Sequence, residues 1–277
     1  MSLSDGFRRF KHKRRVARAL AELNSRDITP VPHGLQGPLV VSLTSFPPRF
    51  DRLADTLRSL LVQSTKADHT ILWVAQDDFD LLPPDVIACQ ALGLDIKTTT
   101  DIRSYKKLIP TLQAHPDAYI VTADDDVYYD ADWLKDLVDA HHQSGAKVIC
   151  HRAHKVLLKP DNTPAPYVDW AQNWDTAEQS ARIFPTGVSG VFYAPDCFDP
   201  RVLDQDAFQS LCPYADDVWF YWMHRLTGGC AQKIGGKRRI LEWDIQPDSD
   251  LRSYNVLQNG NDVQINALIK AFGFPNK

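Results

Sequence analysis

Short apolar runs that alternate with segments of helical periodicity constrain this chain more than any other feature. LVVSLTSF (39–46), HTILWVA (69–75), LDIKTTT (94–100) and AYIVTA (118–123) are long enough for strands and too short for most helices. Three of the four lack a polar face, as strands covered on both sides do. Between the runs, Leu53, Leu57, Leu60 and Leu61 follow i, i+4, i+7, i+8 spacing and predict a helix begun near Asp51. PPDVIACQAL predicts a helix with Pro in its opening turn, YKKLIPTLQAH a short helix interrupted by Pro110, and ADWLKDLVDAHHQSG a helix closed by Gly145. KVICHRAHKVLL (147–158) reads as a further strand. Strands alternating with helices predict an α/β domain with a mixed, mostly parallel central sheet flanked by helices.

The alternation begins only after NSRDITPVPHGLQGP, whose prolines and glycines read as a linker. Residues 1–37 are therefore expected to be a basic arm plus linker, and 38–277 one domain. Residues 1–26 hold eight Lys or Arg against Asp5 and Glu22, a charge of 8 − 2 = +6 in a chain whose net charge is −4. General nucleic-acid binding does not fit that balance. The arm carries Phe7, Phe10, Val16, Ala17, Leu20 and Leu23 at loosely helical spacing, open to two readings. One is a solvated basic arm. The other is a helix on an anionic membrane, where each basic residue adds about 1 kcal/mol. No apolar run reaches 18 residues, and VARALAELNSRD is too charged for a signal-peptide core. The five cysteines lack C-x-x-C spacing and read as free thiols of a reducing compartment. The expected location is the cytoplasm, at most peripheral on the inner face of the membrane.

AYIVTA runs directly into Asp124, Asp125 and Asp126. Open α/β sheets bind ligands beyond the carboxyl ends of their strands, where this triplet falls. Side-chain direction alternates along extended backbone, so Asp124 and Asp126 are expected to point the same way. Two hard carboxylates so placed suit Mn2+ or Mg2+, with positions left for water and phosphate oxygens. The other reading is an acidic turn capping the next helix, but one aspartate suffices for a cap and three adjacent carboxylates repel. An EF-hand is excluded, because Tyr129 and Lys135 stand where Gly and Glu are needed. G-V-S-G-V is not a nucleophile elbow, and no His spacing forms a zinc set; His224 lies within a helical segment and is discounted as a metal ligand.

Taken in order, VVSLTSFPPR, YKKLIPTL, the strand plus DDD, TGVSGVFY and ADDVWFYWMHR resemble bacterial GT-A-fold, nucleotide-sugar-dependent glycosyltransferases. The resemblance is to enzymes of capsular or lipopolysaccharide synthesis and, more distantly, to exostosin-like transferases, and it covers about residues 38–270. It implies one GT-A-like domain with a nucleotide-sugar half (38–158) and an acceptor half (159–277), a UDP-sugar as donor, and a glycan or lipid-linked glycan as acceptor. It maps donor contacts to Thr44, Ser45, Phe46, Pro47 and Arg49 after the first strand, to Gln76 and Asp77, to Lys106 and Lys107 near the diphosphate, and to Asp124 and Asp125. The metal falls to Asp124 and Asp126. For Arg49 and the two lysines, simple solvation at a helix start is the competing reading.

In the acceptor half the resemblance places a catalytic carboxylate at Asp217 or Asp216, with Asp217 preferred. It would be a general base in an inverting enzyme, or would stabilise charge at the anomeric carbon in a retaining one. The residues alone read equally well as acids favoured by the helix dipole. Gly187, Ser189 and Gly190 allow close backbone approach to an acceptor, and Trp219 is the stacking candidate, against the usual core role of Trp. NDVQINALIKAFG predicts a closing helix capped at Asn261 or Asp262, with Val263, Ala267 and Leu268 on its apolar face. Clustered carboxylates leave two alternatives open: a metal-dependent nucleotidyltransferase or phosphodiesterase, and a non-catalytic sugar-binding protein of the same fold.

Overall fold

The structure is a computed structural model and describes residues 3–243 and 260–275. Helix α1 (Leu3–Ser25) precedes strands β1 (Val31–Pro32) and β2 (Leu39–Thr44). After α2 (Leu53–Leu61) come β3 (Thr65–Lys66) and β4 (His69–Ala75). Helix α3 (Pro84–Ala88) leads to β5 (Leu94–Thr99), and α4 (Ile109–Ala114) to β6 (Tyr119–Thr122). Helix α5 (Trp133–Ser144) leads to β7 (Val148–Cys150) and β8 (Ala153–Lys155). Then follow β9 (Glu178–Ser180), β10 (Ile183–Pro185), β11 (Val191–Tyr193), α6 (Gln205–Leu211), α7 (Asp216–Leu226), β12 (Ala231–Lys233) and α8 (Gly260–Phe272).

Among the described residues eight strands form one sheet in the order β5-β4-β2-β6-β11-β7-β12-β9. Only β11 and β9 run against the rest, so the sheet is mostly parallel. Alternate residues of the central strands supply two cores. Val40, Ile71 and Ile120 enter one, with Trp219, Phe220 and Trp222 of α7. Leu39, Val41, Leu43, Leu72 and Val121 enter the other, with Leu53 and Leu57 of α2 and Leu134 and Leu137 of α5. Burial on both faces is why these strands carry no polar side. The α/β, GT-A-like fold expected from the sequence is the fold observed.

The structure departs from these expectations at a few places. KVICHRAHKVLL is not one strand: β7 lies in the main sheet, whereas β8 pairs with β10 in a separate two-stranded sheet. The chain turns at His151, whose ring Nε2 lies 3.0 Å from the Trp133 carbonyl. Pro110 opens α4 rather than interrupting it, a position whose N–H has no helical partner anyway. In TGVSGVFY only 191–193 is strand, because Ser189 and Gly190 take left-handed φ values of 86° and 87°. Asn261 and Asp262 lie inside α8, where Asp262 instead accepts the Tyr167 N–H at 2.8 Å. The buried side of α8 is Ile265 and Leu268, and Val263 faces out.

The basic arm is helical, and its C-terminal half is docked. Ala19 and Leu23 pack on Trp243, and β1 of the linker pairs in parallel with β3. No helix among the described residues is long and apolar enough to cross a membrane. The five thiols are free, four of them buried.

Candidate active site

The carboxyl ends of β2, β4, β6 and β7 and the entrance to the antiparallel β11 share one edge of the sheet. The aspartate triplet leaves β6 there. Burial alternates from Ala123 to Asp130, so Asp125 turns inward while Asp124 and Asp126 stay partly open. Period-two alternation therefore persists past the strand, placing the flanking carboxylates on the open side as expected.

Asp125, buried, accepts from Ser45 Oγ at 2.6 Å and from Arg49 at 2.8 Å. The same guanidinium nitrogen reaches Asp126 Oδ2 at 3.0 Å. Arg49 thus faces carboxylates and not open solvent. Burial opposes its charge, but Asp125 and Asp126 hold its pKa above the ordinary value. Burial also raises Asp125, against the pull of Arg49, and pushes Asp126 up to about 7, with Asp124, Asp125 and Glu242 adding to the rise.

Across from the triplet stands a second acidic group at the N-terminus of α7. Lys107, buried in the 3-10 turn Arg103–Lys107, sets its ammonium 2.9 Å from Asp216 Oδ2, 3.5 Å from Asp124 Oδ1 and 4.0 Å from Asp217 Oδ1. Burial lowers its pKa; the three carboxylates outweigh that and hold it well above the ordinary value. Asp217 Oδ2 accepts the Gly187 N–H at 2.8 Å. A Cβ at Gly187 would lie 2.7 Å from both Asp217 Oδ1 and Lys107 Nζ, so only glycine permits this approach. Burial raises the Asp217 pKa to about 7; Lys107 opposes the rise and Asp216 adds to it.

Ser45, Arg49, Lys107, Asp124, Asp125, Asp126, Gly187, Asp216 and Asp217 are thus drawn together from five separated stretches. Other candidates stand apart. Lys106 is buried but pairs with Asp101, Thr44 Oγ donates to the Trp73 carbonyl at 2.8 Å, and Gln76 and Asp77 are exposed in the turn after β4. Phe46 is exposed, its ring 5.7 Å from the Arg49 guanidinium, and Pro47 opens the next 3-10 turn. Trp219 is not an acceptor platform: it is fully buried and donates to the Val202 carbonyl. Ser189 and Gly190 are fitted to Trp133, which donates to the Ser189 carbonyl at 2.8 Å. His224, buried, has Nδ1 2.7 Å from the Cys197 carbonyl, away from the triplet.

Several supports left no mark in the sequence. Tyr129 Oη accepts the Asp124 N–H at 2.8 Å. Trp243 N–H donates to the Asp126 carbonyl at 3.0 Å, and its indole N–H reaches Thr56 Oγ, which donates to the Asp125 carbonyl. The Tyr129 contact is local, five residues along the chain, but those of Thr56 and Trp243 span more than sixty residues, beyond the reach of any motif.

The chemistry of the donor set fits a divalent cation. Asp124, Asp125, Asp126, Asp216 and Asp217 bring five carboxylates against two cations, Arg49 and Lys107. No cluster of three His, Cys, Asp or Glu with metal-binding geometry exists among the described residues. Asp124 and Asp126 are 25% and 33% exposed, so a ligand could reach both from the open side.

No family model and no curated protein sequence matches the chain. Among solved structures it is similar to the mannosyltransferase PcManGT from Pyrobaculum calidifontis, determined in complex with GDP-Man and Mn2+. The TM-score is 0.53 and the identity 13%, covering 95% of this chain and 72% of that one. It is also similar to S. aureus TarS 1-349, with TM-score 0.49 and 13% identity, covering 73% of this chain and spanning only 59% of that one. At such identity the likeness to PcManGT is one of fold alone.

Proposed function

We propose that this protein is a metal-assisted glycosyltransferase that moves a sugar from a nucleotide-diphosphate donor to a hydroxyl of a glycan acceptor. One observation carries the reading: the partly exposed Asp124 and Asp126 at the end of β6 face a second acidic centre, Asp216 and Asp217, across the buried Lys107. Asp124 and Asp126 would hold Mn2+ or Mg2+, which when bound neutralises the diphosphate of the leaving nucleotide. Ser45 and Arg49 hold Asp125 inward and so aim its two neighbours outward. Lys107 steadies Asp124 and Asp216 from beneath and lowers the cost of placing a diphosphate beside them.

Asp217 is the catalytic residue of this reading and Asp216 its neighbour. Asp216 pairs with Lys107 at 2.9 Å, whereas Asp217 Oδ1 lies farther from that ammonium, at 4.0 Å, while the Gly187 N–H holds Oδ2. A carboxyl with a pKa near 7 accepts the proton of the attacking hydroxyl at working pH. Gly187 brings backbone to that position, so the 186–190 turn is the proposed edge of the acceptor site. The expected donor is a UDP-sugar, with GDP-mannose, named in the PcManGT complex, as the next to try; the expected acceptor is a surface glycan or its lipid-linked precursor.

The test is nucleotide release from a panel of UDP- and GDP-sugars in the presence of Mn2+, Mg2+ or chelator, with the anomer of the product determined. Metal-dependent release that rises with a glycan acceptor is expected. Tight metal-dependent nucleotide binding without turnover on any acceptor would make the chain a binding protein instead.

A further inference from the structure

Helix α1 has two unlike faces. His12, Val16, Ala19, Leu20 and Leu23 form the less exposed stripe, and Ala19 and Leu23 bury against Trp243. At 3.6 residues per turn the opposite side carries Phe7, Phe10, Lys11, Arg14 and Arg18, all exposed. Phe7 and Phe10 are 59% and 56% exposed. The Lys11 ammonium lies 4.2 Å from the Phe7 ring centre and the Arg14 guanidinium 5.8 Å from that of Phe10. Aromatic rings set among cations on a face that the fold leaves uncovered suit a lipid headgroup layer, where rings reach the acyl boundary and cations meet phosphate.

The docked face of the same helix leads to the aspartate triplet from two sides. Just past its end, Arg26 donates to the Val62 carbonyl at 2.7 Å and to the Tyr129 carbonyl at 3.0 Å, and Tyr129 Oη receives the Asp124 N–H. Trp243, held beneath Ala19 and Leu23, binds the Asp126 carbonyl through its backbone N–H and, through Thr56, the Asp125 carbonyl. Whatever favours the docked helix therefore favours the observed form of the 124–129 turn.

We propose that the outward face of α1 seats the protein on an anionic lipid bilayer, and that this seating firms the turn carrying Asp124, Asp125 and Asp126. The surface stands on the helix alone. Its significance for catalysis rests on the donor-site reading above. A bilayer can shift the turn only by binding the docked helix better than a frayed one, and the coupling is reciprocal. Donor and metal held at the triplet should then tighten bilayer binding by the same factor.

The test uses the full chain, sedimented with vesicles of phosphatidylcholine alone or of phosphatidylcholine with phosphatidylglycerol. Partition about tenfold higher onto the anionic vesicles, falling as salt rises, is expected. Equal partition, or a preference for duplex RNA with no vesicle binding, overturns the proposal. The variant F7S/F10S/R14E/R18E changes only exposed side chains; it should lose vesicle binding with an unchanged melting temperature, and retained binding would assign the surface elsewhere. Amide exchange over residues 122–130 reads the coupling without any nucleotide. It should slow when anionic vesicles bind the wild type, and the slowing should be lost in Arg26→Ala, which keeps its vesicle binding. Unchanged exchange on fully bound wild-type protein overturns the coupling, whereas absence of nucleotide binding would bear only on the sugar-transfer reading.

Discussion

A carboxyl group whose pKa is pushed to about 7 changes charge in the range where most enzymes work, and Asp217 is such a group. If Asp217 accepts the proton from the acceptor, transfer rises with pH through an apparent pKa near 7 and then levels; a rate–pH profile of nucleotide release checks this. Asp217→Asn should leave metal-dependent nucleotide binding intact and lower transfer by about 10^2–10^4-fold, measured as binding and turnover on the same preparation. The stability consequence has the opposite sign from that of a salt-bridged carboxylate. The folded pKa lies above the ordinary 3.8, so folding stability is lost as pH rises from about 4 towards 7 and is flat above. Asp217→Asn should accordingly melt higher than wild type at pH 8 and lose that advantage at pH 4. Gly187→Ala should cost about 1–3 kcal/mol by denaturant unfolding and depress transfer, because its Cβ has no room beside Asp217 and Lys107. Asp126→Ala should abolish metal-dependent nucleotide binding, as calorimetric titration with and without Mn2+ would show. Of these residues the three consecutive aspartates announced themselves in the sequence. Ser45, Arg49 and Lys107 were named from the resemblance as donor contacts, and their carboxylate partners across the fold left no mark in the sequence.

At the scale of elements, local rules succeeded wherever the determinant was local. The end of α5 and the span of β4 follow from Gly145 and from the run HTILWVA. They failed where a distant partner decided. Splitting 147–158 into β7 and β8 depends on β10, some thirty residues later, and the form of 186–190 depends on Trp133. A Cβ at Gly190 would lie 2.5 Å from the Trp133 ring, at a φ of +87° that side chains rarely adopt. Gly190→Ala should therefore destabilise the protein by more than about 2 kcal/mol, read as a shift of the urea midpoint without change of slope. Any accompanying loss of activity would report on the 186–190 turn that carries Gly187.

For the whole molecule, order and composition determined the class of fold. Apolar runs without a polar face must be covered on both sides, and helices between them are the cover the chain itself provides, so the parallel sheet was legible before any coordinate. The strand ending in three aspartates also fixed where a ligand centre would lie, since strand ends in such a sheet share one edge. Which charges meet there was decided only by tertiary structure. Lys107 is set among Asp124, Asp216 and Asp217, Arg49 between Asp125 and Asp126, and Trp243 beneath both the triplet and α1, because packing brings together groups up to some two hundred residues apart. The reason is physical: hydrophobic pattern is a property of neighbouring residues and survives in the sequence, whereas ionisation and hydrogen bonding depend on distances that exist only once the chain has folded.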